Sequence, residues 1–487
     1  MSALPEEASR VSEPRPVAVI VLAAGEGTRM KSRLPKVLHP LCGRSMLGHV
    51  LAVARELGPQ RLVVVAGQGR DLVSAETATH APDAQVVAQE PLAGTGHAVR
   101  TVIEALGVPH GTVVVSYGDM PLLRAQTLRA LVGEHTAAGN AVTVLSARVA
   151  DPSGYGRIVR DEAGLLAGIV EEADATVQQR EADEINSGCY AFDGALLADA
   201  VKRIAAGNAQ GQEYLTDVVA ILRGDGHRAG TVTAADPAEV QGVNDRVQLA
   251  AARRAYNGRL LEAWMRAGVT IADPATTWID VDVTIGQDTE IGPGTQLEGR
   301  TAIGRGAMIG PGCQLRDTAV ADDATVTHAV CVQAEIGPGA TVGPYAYLRT
   351  GTRIGAGAHV GCHVELKNAV VGAGAKIPHL SYVGDADIGE HANIGAATIF
   401  ANYDGVAKHH TTIGAHAFIG SDTVLVAPVA VGDGAYTAAG SVITGDVPPG
   451  ALAIARGRQH NSEGWAQRGR RRAPGQDEGE GKGAQAR

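Results

Sequence analysis

Aliphatic positions along the chain follow two rhythms, and the change between them falls near the middle. From Val17 to about Asn244, short β-branched runs (17–22, 62–66, 113–116 and 142–145) alternate with helix-like stretches such as 46–57 and 125–138. Alternation of this kind predicts a mostly parallel sheet with helices on both faces, a doubly wound Rossmann-like α/β domain. Ligands in such folds gather at the carboxyl ends of the strands. Residues 245–267 read as one helix, with apolar positions at Val247, Leu249, Leu260, Leu261 and Trp264 and a stop at Gly268.

After Val281 the period becomes six. Ile285, Ile291, Leu297, Ile303, Ile309 and Leu315 follow one another at that interval, and Gly286, Gly292, Gly304 and Gly310 come directly after four of them. The phase slips, then resumes at Ile336, Val342, Leu348, Ile354, Val360 and Leu366. It returns at Ile388 and Ile394, and again at Ile413, Ile419, Leu425 and Val431. A chain that turns a corner every six residues closes a triangular coil in three segments, and such coils stack about 4.8 Å apart by parallel strand pairing. The aliphatics point inward in columns, and glycine is expected to supply positive φ at the corners. This is the pattern of a left-handed parallel β-helix of hexapeptide repeats. The period lapses between Ile394 and Ile413, so 398–410 is expected to leave the coil as a loop, with His409 and His410 solvated on it.

Composition agrees with a coil that packs small aliphatics: there are 63 glycines, and aromatic residues make up only 3%. A net charge of −10 argues against a nucleic-acid binder but leaves room for a local phosphate site. The five cysteines, Cys42, Cys189, Cys313, Cys331 and Cys362, have no CxxC spacing, which suits reduced thiols rather than a disulfide framework or a zinc site. An acidic N-terminus and the lack of any long apolar run predict a cytoplasmic protein without membrane contact. The expected organisation is a flexible N-terminus (1–15), the α/β domain (16–244), a linker helix (245–267), the β-helix (268–464) and a disordered tail (465–487).

The chemistry-bearing motifs begin at the first strand. It runs through Leu22 into Ala23-Ala24-Gly25-Glu26-Gly27-Thr28-Arg29-Met30, and Leu34-Pro35-Lys36 follows. Two glycines let backbone N–H groups converge on an anion, and a tight turn alone would need them too. The loop has neither the third glycine of a dinucleotide fingerprint nor the Gly-Lys-Ser/Thr of a Walker A loop. Further on stand Gln89 with Gly94-Thr95-Gly96-His97, Tyr117-Gly118-Asp119, Gly154-Tyr155-Gly156-Arg157, Ile169-Val170-Glu171, Ile185-Asn186-Ser187-Gly188 and Gly242-Val243-Asn244. In this order the motifs resemble the sugar nucleotidyltransferases, and most closely the bifunctional bacterial GlmU family. That family joins a UDP-N-acetylglucosamine pyrophosphorylase to a glucosamine-1-phosphate acetyltransferase, and the resemblance runs from roughly 17 to 465.

The resemblance implies a bifunctional enzyme of cell-wall precursor synthesis. It would acetylate glucosamine-1-phosphate with acetyl-CoA, then transfer UMP from UTP to N-acetylglucosamine-1-phosphate. Asp119 and Asn244 would hold Mg²⁺, although Asn244 also stands where it could cap the helix after it. Arg29 and Lys36 would neutralise phosphates. Leu22, Ala23, Ala24, Gly25, Gln89, Gly94, Thr95, Tyr117 and Gly118 would bind the nucleotide, and Gly156, Glu171 and Asn186 the sugar. Of the adjoining Glu171 and Glu172, only the family match selects the first.

In the hexad half the resemblance makes His379 the base that takes a proton from the amine. Glu365 would orient it or stabilise its charge. Arg349 and Lys367 would grip the sugar phosphate, with Tyr382 and Asn393 assisting. Ala396, Asn402, Tyr403, Ser421, Ala439 and Arg456 would contact acetyl-CoA. The family forms homotrimers. Two positions depart from its pattern: Ala397 stands for the usual glycine, where its methyl would crowd a close approach, and Cys362 for a frequent asparagine. Three rival readings remain. The hexad half is only an oligomerisation module; the whole chain is a non-catalytic regulatory subunit, against which Arg29, Lys36, Asp119 and Asn244 are all retained; or the arginine-rich tail binds nucleic acid, which net charge opposes.

Overall fold

The computed structural model describes residues 14–208 and 211–470. The chain divides into two compact units, with the break between Gln333 and Ala334.

The first unit begins with a nine-stranded sheet. Its strands are β1 (Ala18–Ala23), β2 (Arg61–Ala66), β3 (Gln85–Ala88), β4 (Thr112–Tyr117), β5 (Val142–Arg148), β6 (Arg157–Arg160), β7 (Leu166–Val170), β8 (Glu184–Asp193) and β9 (Ala229–Thr233). The order across it is β9-β5-β8-β4-β1-β2-β3, and β6 and β7 form a hairpin attached to β8. β1 lies parallel to both β2 and β4. Because side chains alternate across a strand, β1 feeds two cores. Val19 and Val21 join one with the helices Met46–Glu56 and Ala125–Ala138, while Ile20 and Leu22 join the other with Thr95–Leu106 and Asp217–Gly224. Helices therefore cover both faces, as expected. β8 runs antiparallel to β4 and β5, because the chain returns from β5 through the β6–β7 hairpin and not through a helical crossover.

The long helix spans Arg246–Arg266. The Asp245 side chain caps it by accepting from the N–H groups of Val247 and Gln248, and it ends before Gly268 at φ +95. Leu249 and Leu261 are buried, whereas Val247 is exposed. Asn257 ties the helix to the first hexad segments: its Nδ2 donates to Thr277 O at 2.8 Å and its Oδ1 accepts from Ile279 N at 3.0 Å. The early coils thus group with the first unit, and the break falls later than the sequence boundary at 268.

Short parallel strands build the hexad region. In the first unit Ile285 pairs with Ile303, Ile291 with Ile309 and Leu297 with Leu315. In the second, Ile336 pairs with Ile354 and Val342 with Val360. Each partner lies three hexads on, so three segments make one coil, and these aliphatics are buried. A second inward column was not read from the sequence. Small residues two places before the aliphatic, such as Thr289, Thr295, Thr301, Ala307 and Cys313, are buried as well.

The corner glycines work differently from expectation. Positive φ falls three residues after the aliphatic, at Asp288, Gly294, Gly306 and His391, for example. Gly286, Gly292 and Gly304, directly after it, have no positive φ; Gly310, before a cis proline, does. They are needed for closeness: a Cβ on Gly286 would sit 2.6 Å from the Gly304 backbone in the next coil.

The excursion is shorter than expected. The period takes one more step, to the fully buried Phe400, and Ile399–Ala401 remains a strand in register with Val424–Val426. Only 402–410 leaves the coil, as a small hairpin closed by a Tyr403–Lys408 bridge. On it, the His409 ring bonds Asp404 at 2.7 Å, and His410 bonds Asp387 at 3.1 Å. The expected tail opens with a short helix, Trp465–Arg470. The remainder from 471, and the first thirteen residues of the expected N-terminus, lie outside the described residues.

Candidate active sites

A cleft of about 780 Å³ opens at the carboxyl ends of β1 and β4. This is where the strand order reverses direction, the position at which α/β sheets take ligands. Leu22, Ala23, Ala24, Gly25, Arg29, Lys36, Gln89, Gly94, Thr95, Tyr117, Asp119 and Asn244 all line it. Glu26, Thr28 and Gln212 line it too and were not singled out from the sequence.

Lys36 is the centre of the arrangement. Its Nζ forms an ion pair with Asp119 and donates to Asn244 Oδ1 at 3.0 Å. Asp119 sits just beyond β4, and its carbonyl accepts from Val243 N at 2.9 Å, which brings the 242–244 segment alongside. Asn244 is not the helix cap, since Asp245 fills that role. One carboxylate and one amide oxygen thus converge on a single positive charge. Such a donor set suits a hard divalent cation, with water and phosphate completing its shell. Among the described residues no group of three or more His, Cys, Asp or Glu could hold a metal.

The glycines of this loop are not equivalent. Gly27 has φ +64, and a Cβ there would lie 2.5 Å from Lys36 Cβ; at Gly25 a Cβ meets nothing within 4 Å. Gly94, at φ +114, lies against the backbone of Glu213, where a Cβ would come to 2.4 Å. Gln89 is buried and commits its Nε2 to Gly94 O at 2.9 Å and the His97 ring at 3.2 Å. Its Oε1 is then what it offers a ligand.

Gly118, Gly156, Glu171 and Asn186 do not line the cleft proper. Gly118 N donates to Leu22 O and holds β4 to β1. The other three form a row, with Glu171 near Tyr117 and Asn186 Nδ2 donating to Tyr190 OH at 2.8 Å. Asn186 N donates to Gly156 O at 2.8 Å, and a Cβ on Gly156 would lie 3.2 Å from Glu171 Oε2. Glu171 Oε1 accepts from Thr216 Oγ1 at 3.2 Å. Burial lifts the Glu171 carboxyl above its ordinary range; the Thr216 bond offsets part of that, and Asp217 and Asp174 add to it. Burial, with Glu171 and Asp119 nearby, also raises the Tyr117 phenol. Glu172 turns instead to Arg157, 2.8 Å away.

A second constellation lies within the second unit. Arg349 donates to Glu365 Oε1 at 2.9 Å, and its guanidinium lies over the Tyr347 ring. Glu365 is in register with Tyr382, and Lys367 with Gly384. Lys367 Nζ stands 3.8 Å from Asp385, which also accepts from Asn402 Nδ2 at 2.5 Å and Asn368 Nδ2 at 2.9 Å. A Cβ on Gly384 would meet both Asn402 Nδ2 and Tyr382 OH at 2.5 Å. Asn402 is thereby buried with the Lys367 group.

Lys408, unremarked in the sequence, comes in from the hairpin. The neighbouring Lys367 lowers its pKa. Burial pushes Asp385 up, but bonds from Asn368 and Asn402 and the charges of both lysines outweigh it and hold the carboxyl below its usual range. Two ammonium groups around one carboxylate leave a net positive charge, a site for an anion.

His379 stands exposed at a coil edge, in register with Cys362. Its carbonyl accepts from Ala397 N and Ser381 Oγ. The imidazole has no hydrogen-bond partner among the described residues, and Glu365, expected beside it, is bonded to Arg349. Asn393 lies in register with Lys376. Ala396, Ser421 and Ala439 stack at one corner of successive coils. Asp422 N donates to Ala396 O, Gly440 N to Ser421 O and Arg456 to Ala439 O at 2.8 Å. Tyr403 is exposed on the hairpin, with its hydroxyl bonded to Gly405 O. Ala397 has φ +61, which explains why glycine suits the position.

Residues 19–182 match the family described as MobA-like NTP transferase domain, and 282–317, 333–368 and 410–445 match bacterial transferase hexapeptide repeats. A Streptomyces avermitilis protein named "Bifunctional protein GlmU" is 61% identical over 94% of this chain and 96% of its own length. Proteins of the same name from Thermobifida fusca and Mycolicibacterium gilvum are 61% and 54% identical, over 95% and 93% of this chain and 97% and 92% of their own lengths. Among the described residues no helix is long and apolar enough to cross a membrane.

Proposed function

The chain belongs to the bifunctional GlmU family, and from that premise we propose that it makes UDP-N-acetylglucosamine in two steps, one in each constellation. It is an N-acetyltransferase acting on glucosamine-1-phosphate and a uridylyltransferase acting on the N-acetylated product. The observation that carries the reading is that each unit has its own charged constellation: in the first, Lys36 with Asp119 and Asn244, an oxygen pair suited to a divalent cation beside a phosphate-neutralising lysine, and in the second, Lys367 and Lys408 around Asp385, a net positive anion site.

In the acetyl transfer, Lys367 and Lys408, with Arg349, Tyr382 and Asn393 alongside, hold the sugar phosphate. His379 takes a proton from the sugar ammonium, and the free amine attacks the thioester carbonyl. The amide bond forms, the C–S bond breaks and CoA leaves as its thiol. The corner column of Ala396, Ser421 and Ala439, with Tyr403 and Arg456, lies along acetyl-CoA. Asn402 braces Asp385 beneath the sugar phosphate.

In the uridylyl transfer, a phosphate oxygen of N-acetylglucosamine-1-phosphate attacks the α-phosphorus of UTP and pyrophosphate leaves. No protein nucleophile is needed; the obstacle is repulsion between anions. Lys36 and Arg29 offset that charge. Gln89, Gly94 and Thr95 hold the uridine end, and Gly156, Glu171 and Asn186 the sugar. Asp119 and Asn244 would hold Mg²⁺, which would supply neutralisation of phosphate charge. The enzyme works in the cytoplasm as a homotrimer.

Incubation of the protein with glucosamine-1-phosphate, acetyl-CoA, UTP and Mg²⁺, followed by mass spectrometry, tests both halves. UDP-N-acetylglucosamine with free CoA and pyrophosphate is expected. Product only from ready-made N-acetylglucosamine-1-phosphate would reduce the coil to a scaffold and remove the role given to His379.

A further inference from the structure

We propose that Arg157, which lies behind the row of sugar-holding residues, positions that row and so sets the grip on the N-acetylhexosamine phosphate; this rests on the assignment of Gly156, Glu171 and Asn186 to the sugar. The register makes the case. Arg157 pairs with Val170 on one side and Ile185 on the other. The next residues on those strands are Glu171 and Asn186, and the residue before Arg157 is Gly156. All three members of the row are therefore one peptide away from the positions that meet at Arg157. They also touch one another, through the Asn186 N to Gly156 O bond and the close approach of Gly156 to the Glu171 carboxylate.

The Arg157 side chain is 2% exposed, among the largest fully buried side chains of the protein. Its guanidinium donates to Tyr155 O and to Arg180 O and forms an ion pair at 2.8 Å with Glu172 Oε2, a buried oxygen that accepts no hydrogen bond among the described residues. Among the described residues its Nε has no hydrogen-bond partner. Burying a guanidinium is expensive, and an apolar side chain of similar volume is often as stable. What an apolar side chain lacks is a rigid fork that holds several oxygens in fixed directions. Here the fork bonds the carbonyl just before Gly156 and the carbonyl that ends the Val177–Arg180 turn, and its charge pairs with the carboxylate just after Glu171. The peptide planes on both sides of the sugar row are thereby fixed from behind. Arg157 reaches no substrate atom in this account; it is a positioning residue, and its effect should fall on one substrate only.

The test uses the full-length enzyme. Arg157→Lys keeps the charge and loses the fork, and the double variant R157M/E172Q removes both charges together so that neither is left buried alone. Both should raise the KM for N-acetylglucosamine-1-phosphate on the order of tenfold or more while the KM for UTP stays unchanged. Acetyl transfer should stay at the parent level, and thermal melting should report a folded first unit. Asn186→Ala, a change in the row itself, is the reference. If Asn186→Ala raises the sugar-phosphate KM and both Arg157 variants leave it alone, the positioning proposal is wrong while the sugar assignment stands. If the two KM values rise together, or only the melting temperature falls, Arg157 is purely structural and the proposal is overturned. If Asn186→Ala has no effect on the sugar-phosphate KM, the assignment fails and takes the proposal with it.

Discussion

Alanine at Gly27 should cost the first unit both stability and uridylyl transfer, whereas alanine at Gly25 should cost catalysis alone. The two sit on the same loop, but only Gly27 has φ +64, and only there would a Cβ fall 2.5 Å from Lys36 Cβ and 3.4 Å from its Cα. Both of those atoms are fixed by backbone, so no rotamer relieves the clash. Left-handed φ costs an alanine about 1–2 kcal/mol, and overpacking adds about 1–3 kcal/mol. Together they cost about 2–5 kcal/mol, and at about 2–4 °C per kcal/mol, the figure for 150–250 residues, the melting temperature should fall by roughly 4–20 °C. The displaced Lys36 leaves Asp119 and Asn244, and loss of one such charge-stabilising donor typically slows turnover by about 10²–10³. Gly25→Ala should change stability by less than about 0.5 kcal/mol, yet raise the KM for UTP, because its methyl enters the space where phosphate approaches. Calorimetry and pyrophosphate release at varied UTP measure both effects, and acetyl transfer on the same samples reports the second unit. A Gly27→Ala enzyme that melts and turns over like the parent would refute the reasoning; so would a Gly25→Ala enzyme that melts as early as Gly27→Ala.

Ala397→Gly should stabilise the second unit by up to about 1 kcal/mol, because it relieves an alanine at φ +61, where the same change in an ordinary strand costs about 0.5–1 kcal/mol. Urea unfolding gives the sign, and equal CoA dissociation constants for parent and variant would dismiss any crowding of the cofactor by the methyl. Glu171 supplies a pH dependence. Its folded pKa is raised above the ordinary 4.5 by burial, so between the two values the folded chain binds more protons than the unfolded one, and stability falls as pH rises through that window. Glu171→Gln should melt higher than the parent near neutral pH, converge with it in acid and raise the sugar-phosphate KM; a variant less stable at neutral pH would contradict this. Of the five thiols, Cys42, Cys189, Cys313 and Cys331 are buried, so iodoacetamide should modify Cys362 first. Because Cys362 is in register with His379, the labelled enzyme should lose acetyl transfer and keep uridylyl transfer, with mass mapping to identify the modified residue.

The sequence alone determined the architecture of both halves, because their patterns are local. Alternating β-branched runs and helical stretches specify an α/β sheet, and an aliphatic every sixth residue can be buried continuously only in a three-sided coil. The motif order was enough to collect twelve of the expected residues around one cleft. The tertiary structure decided what depends on approach between distant segments. Lys36 meets Asp119 and Asn244 across separations of 83 and 208 residues, and no local pattern records that meeting. The glycine that follows many of the aliphatics looked like a torsional device; at Gly286, Gly292 and Gly304 it is there because the backbone of the next coil passes within contact distance of where its Cβ would be. Phe400 was missed as a hexad position because it is not aliphatic, and Lys408 because its importance arises only when the hairpin folds back to Lys367. Arg157, one letter in a motif, becomes a buried clasp only once three strands meet at it. Periodicity fixes which side of the chain faces inward, but which side chains then share a space is set by packing between segments that the sequence keeps far apart.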